Sequence, residues 1–209
     1  MYVAGATLSK PEFQAILEDP GFVGKMFEAT DHAVATGNEA GFAVYRNAGG
    51  LAMSEVVLAE NSPGDLGPTN SINLDGLTTT DGTTVRPDVV TDLHVHPWSG
   101  WSSMRHSVTD LQTHCDHDRT QPGYISMVAV PRVHIDNVHV VFARMALGQE
   151  GKPDRRILNC MDDHAVVSDV NYATRRAGIA TFTTRYSMQT RKIDDNPQIV
   201  ADGVFRVAV

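Results

Sequence analysis

The run Val89–Val95, Val-Val-Thr-Asp-Leu-His-Val, narrows most sharply what this chain can become. Its β-branched residues and the Pro97 that ends it read as a strand near the middle of the sequence. That strand carries His94 and His96 at its C-terminal end. Residues two apart on a strand point to the same face, so the two imidazoles can reach one metal ion. A tetrahedral catalytic zinc needs three protein ligands and a water. The pair therefore calls for a third ligand from a neighbouring element.

The chain around this strand reads as mixed α and β with mostly antiparallel pairing. Residues 11–37 have helical apolar spacing (Phe22, Met26, Phe27, Ala33), with Pro20 dividing the segment or starting a helix and Gly37 placed to stop it. Two strand-like runs, 40–45 and 51–59, follow, joined by the hairpin signal Asn47-Ala48-Gly49-Gly50. Residues 61–87, rich in Gly, Pro, Asn, Asp and Thr, read as a long exposed loop with at most one short strand. Residues 107–118 read as a helix capped by Ser107, with Asp110 three positions on. Strands are expected at 124–130 and 138–146, separated by a turn region at Pro131, Asp136 and Asn137. Beyond Gly148 the pattern weakens to a helix at 155–174 and strands at 179–186 and 204–209.

Asp110 is the best third ligand, because a carboxylate one turn into that helix projects from its start, near where the chain returns from His96. Asp92 shares the strand face of the histidines, but at ~7 Å along the strand it suits a supporting partner better than a ligand. His106 and His114 compete as well, His114 from the same helical face as Asp110. Hydrolysis at such a metal also needs a general base, and Glu is scarce in this sequence. Glu39 stands out, between the helix stop at Gly37-Asn38 and the apolar strand Ala40-Gly41-Phe42-Ala43-Val44. A plain exposed glutamate at a helix–strand junction is the bland alternative.

Taken together, Glu39 before an apolar strand, then His94-Val-His96-Pro97, then Ser107-Val-Thr-Asp110 resemble the JAMM signature of the MPN (JAB) family of zinc metallopeptidases. The likeness spans roughly residues 10–146. It implies an α+β fold, a mostly antiparallel curved sheet flanked by helices, over residues 1–148; it does not explain residues 149–209, which read separately as a C-terminal extension packed on the same domain. Ten residues separate His96 from Ser107, about three more than is usual in that family, so 98–105 reads as a lengthened loop at the rim of the site. Trp98 and Trp101 in that loop are candidate substrate contacts.

The resemblance implies that His94, His96 and Asp110 hold Zn²⁺, that Glu39 is the general base, and that Ser107 donates to the oxyanion. The implied reaction is hydrolysis of a peptide or isopeptide bond, such as removal of a ubiquitin-like modifier or processing of a precursor. The alternatives are a non-catalytic MPN platform, a small-molecule amidase, a metallo-β-lactamase-like or amidohydrolase-like enzyme, and a helical metal site at Asp110, His114, His117 and Asp118. A cupin-type site would want a Glu three to five residues after the pair, and none is there.

The net charge of −8 argues against nucleic acid as the main partner. Residues 1–149 hold 8 Lys/Arg against 17 Asp/Glu, whereas 150–209 hold 9 against 8. Two cysteines, Cys115 and Cys160, are too few for a disulfide framework and read as inert thiols. No apolar run approaches the ~18 residues of a spanning helix, and the N-terminus lacks a secretory layout. The expected compartment is the cytoplasm, with no membrane partner.

Overall fold

The computed structural model describes residues 8–59, 89–97, 110, 124–144 and 180–194. Several expectations lie outside them: the 61–87 loop, the 98–105 loop with its tryptophans, Ser107, His106, His114 and the remainder of that helix apart from Asp110, both cysteines, and the elements expected at 155–174 and 204–209.

The helical segment is divided where Pro20 predicts. Helix α1 (Lys10–Glu18) opens on a capping box, in which Ser9 accepts from the Glu12 N–H and the Glu12 carboxylate accepts from the Ser9 N–H. Helix α2 (Pro20–Thr36) starts at once, because Asp19 turns its carboxylate onto the N–H groups of Gly21 (2.7 Å) and Phe22 (3.0 Å). Gly37 ends α2 at φ 76°, donating its N–H to Ala33, a left-handed cap that glycine takes without strain.

Strands β1 (Ala40–Asn47) and β2 (Gly50–Met53) form the expected hairpin, closed by Ala48-Gly49 between the pair Asn47 and Gly50. The single strand expected at 51–59 is instead two, because β3 (Val57–Leu58) pairs with β1 one residue out of step with β2. Partners sum to 97 in the β2 ladder (Val44 with Met53) and to 98 in the β3 ladder (Gly41 with Val57), so one extra residue bulges between them. Ser54 fills the gap, its hydroxyl accepting the Ala43 N–H at 3.0 Å.

With strands β4 (Val89–Val95), β5 (Ile125–Arg132), β6 (Asn137–Arg144) and β7 (Ala180–Ser187), the described residues form a seven-stranded sheet ordered β2-β1-β4-β5-β6-β7, with β3 beside β1. Among the described residues every pairing is antiparallel except β4 with β5. The architecture is thus the expected α+β one. Pro131 differs from expectation: it is inside β5, paired with Val138, and the turn begins only at Val133. The β4 ladder ends at Val95 with Ala129, so on that side of Pro131 no described β4 pairing requires an N–H.

Both helices cover one face of the sheet. Phe13 and Leu17 of α1 and Phe22, Met26 and Phe27 of α2 pack with Phe42, Leu93, Val95, Met127 and Val140 into the main core, with Phe22 edge-on to Phe42 at 5.4 Å. β7, from beyond residue 148, joins this core through the fully buried Tyr186, whose hydroxyl donates to the Leu17 carbonyl at 2.9 Å. That carbonyl is in the last turn of α1, where carbonyls lack intrahelical partners. Tyr186→Phe is expected to lower stability by ~1–2 kcal/mol by leaving this acceptor buried and unsatisfied; urea unfolding measures it. With the helices on one side, alternation along β1, β4 and β5 leaves Gly41, Asp92, His94 and Ser126 for the other.

Candidate metal centre

β4 is the strand that delivers the histidines. All seven of its residues are buried, flanked by β1 on one side and β5 on the other. Leu93 and Val95 point to the helices, so Asp92, His94 and then His96 point away. The last ladder bond runs from the His96 N–H to the Ala129 carbonyl, and Pro97 follows, without a donor to extend the ladder.

Glu39 arrives from the adjacent strand. The β1–β4 register pairs Gly41 with His94 and Ala40 with Val95, so one step further Glu39 stands opposite His96. Its backbone carbonyl accepts from the Ala59 N–H at 3.0 Å, which fixes the entry into β1. Opposite His94, Gly41 contributes no side chain. The bland reading of Glu39 as an exposed junction residue fails, because its side chain is only 12% exposed and its Oε1 lies 4.0 Å from His96 Nε2.

Asp110 has helical backbone and turns its carboxylate onto both imidazoles. Its Oδ1 lies 3.4 Å from His94 Nε2, its Oδ2 3.3 Å from His96 Nε2, and the two Nε2 atoms are 3.1 Å apart. Ligands held ~2.0–2.1 Å from one tetrahedral ion stand ~3.3–3.4 Å from one another. The two imidazole nitrogens, 3.1 Å apart, and a carboxylate with one oxygen near each come close to the spacing that a shared divalent ion needs. His94, His96 and Asp110 form a group whose donor atoms all lie within 4.8 Å of one another, and neither Glu39 nor Asp92 belongs to it. Two imidazole nitrogens and one carboxylate oxygen suit zinc and other borderline dications.

The charges within this centre are strongly coupled. Burial by itself pushes the His94 imidazole down, but the Asp110 carboxylate beside it wins and lifts it to about 9. Burial acts upward on Asp110, yet His94 and then His96 hold its carboxyl far below the usual range. Glu39 differs from Asp110: burial raises its carboxyl above the ordinary value, and the two imidazoles only partly offset this. One carboxylate is thus kept ionised and the other pushed toward taking a proton, a separation that matches ligand and base.

These shifts predict opposite pH behaviour with and without metal. In metal-free protein, the raised His94 value contributes stability that is whole below 6.5, its unshifted value, and is lost as pH rises through about 9. With zinc the slope reverses, because protons compete with the ion for the imidazoles. Thermal midpoints from pH 5 to 9.5, in EDTA and in excess zinc, are expected to fall with pH in the first series and rise in the second up to ~8.

Two polar groups that the sequence did not single out share this face. Ser126 of β5 stands beside Asp92 in the ladder and is 4% exposed, and Tyr124, two residues earlier, is buried against Ala43 and Val89. A lone serine in the apolar run 125–130 was the signal available. No protein-family model matches the chain, and no curated protein is similar to it at a significant level. No helix among the described residues is long and apolar enough to cross a membrane.

Proposed function

We propose that this chain is a metal-dependent hydrolase of the JAMM type, which cleaves a peptide or isopeptide bond. The observation that carries this reading is the placement of Glu39. An acid partly excluded from water, opposite His96 and outside the ligand group, is what hydrolysis requires and a purely structural metal site does not. Zinc held by His94, His96 and Asp110 would supply an acidified water and a Lewis acid for the scissile carbonyl.

The remaining work belongs to the chain. Glu39 takes a proton from the attacking water on a carboxylate oxygen and delivers it to the departing amine nitrogen, and its raised affinity for protons suits both halves of that transfer. Asp110 stays ionised throughout, held so by the imidazoles. Ser107 is assigned the donor to the developing oxyanion, a contact worth ~3–4 kcal/mol in comparable sites. Substrate enters on the sheet face opposite α1 and α2.

The order of elements supports the resemblance to the JAMM signature: a helix, a Glu leading an apolar strand, an adjacent His-x-His-Pro strand, and an aspartate returning to both imidazoles. The test is cleavage of a panel of fluorogenic peptides and Lys-linked isopeptides by purified protein. Turnover that disappears with a chelator and returns with one equivalent of zinc is expected. Protein that holds zinc yet cleaves no amide in the panel would overturn the peptidase assignment. A chain that takes up no metal would favour the non-catalytic platform.

A further inference from the structure

Asp92 has no part in the proposed reaction, yet it is 8% exposed on a strand flanked on both sides. Its ladder neighbours are Ala43 on β1 and Ser126 on β5, small residues that place little between its carboxylate and the face it shares with His94. A carboxylate removed from water to this degree is costly unless positive charge compensates it. It stands two residues before His94 on the same side of β4 and outside the group His94, His96 and Asp110. Its charge acts on the His94 ring.

We propose that Asp92 is a positioning residue of the metal centre, holding negative charge behind His94 so that the imidazole is oriented and strengthened as a donor. The inference rests on the metal-centre reading and deepens it. The charge count favours it: two neutral imidazoles and one carboxylate leave a divalent ion with one uncompensated positive charge. Glu39 lies outside the ligand group, 4.0 Å from His96 Nε2, and is assigned the proton transfer. Partners behind metal-bound histidines commonly set affinity by roughly 10- to 100-fold without touching the ion.

The test uses the full chain and Asp92→Asn, which keeps shape and hydrogen-bonding capacity while removing charge. Zinc affinity, by competition with a chromophoric chelator, is expected to weaken roughly 10- to 100-fold. The variant should remain folded in EDTA, with its thermal midpoint changed only modestly. Cobalt(II) bound to the variant should show a shifted visible spectrum, reporting an altered His94 donor. In Asp92→Glu, which keeps the charge, affinity should recover at least in part. Zinc affinity within about threefold of the parent in Asp92→Asn would overturn the inference, as would an Asn variant that loses its fold in EDTA, which marks a structural role. Failure of the parent itself to bind zinc or cobalt would instead overturn the metal-centre reading beneath it.

Discussion

Glu39→Gln is expected to abolish measurable hydrolysis while leaving the metal in place. Removal of a general base typically costs 10²–10⁴ in rate, or ~3–5 kcal/mol of transition-state stabilisation. Gln keeps the size and polarity of the side chain, and Glu39 lies outside the group of three ligands, 4.0 Å from His96 Nε2. Zinc content should therefore remain at one equivalent, with affinity changed only a few-fold by the loss of a nearby charge. Steady-state turnover and metal analysis on one preparation check both halves. Retained turnover would reassign the base; loss of metal along with turnover would make Glu39 a ligand.

Asp110→Ala is expected to have the opposite profile, losing metal first and activity as a consequence. Structural zinc sites with four ligands bind with ~10–16 kcal/mol, or roughly 3 kcal/mol per ligand. Removal of one of three is thus expected to weaken zinc binding by a hundredfold or more. Zinc that raises the thermal midpoint of the parent should leave that of the variant unmoved at the same concentration. In the metal-free state the variant also loses the carboxylate that lifts His94 to about 9, so its stability should vary less between pH 6.5 and 9. Calorimetric titration with zinc measures the first effect, and pH-dependent unfolding in EDTA the second.

The local parts of this fold were legible because each rests on a few adjacent residues. Pro20 can divide a helical segment or start a helix, Gly37 can end one, and Asn47-Ala48-Gly49-Gly50 can turn a hairpin; all three do so. His94 and His96 were readable as a pair because strand periodicity alone puts them on one side. What could not be read depends on neighbours distant in sequence. The bulge at Ser54 exists because the Ala43 N–H, eleven residues away, takes the serine hydroxyl as its partner. Pro131 is acceptable within β5 only because β4 pairs no further than Ala129, and nothing near Pro131 announces where another strand stops. The parallel pairing of β4 and β5 likewise follows from the whole sheet.

The candidate site divides in the same way. Glu39 and Asp110 stand out in the sequence by their places at element starts, but their convergence on the imidazoles depends on register. The pairing of Gly41 with His94 carries Glu39 to His96; a slip of one residue would send it to the helix face. Ser126 is not legible in the sequence, because a single serine in an apolar strand has no meaning without Asp92 beside it.

The most direct measurement is X-ray absorption at the zinc edge on protein loaded with one equivalent of the ion. The expected spectrum has only nitrogen and oxygen neighbours at ~2.0–2.1 Å, with scattering from two imidazole rings, and loses the signature of one ring in His94→Ala. Sulfur in the first shell, a single ring, or a chain that retains no ion after reloading would contradict the convergence of His94, His96 and Asp110 on one metal.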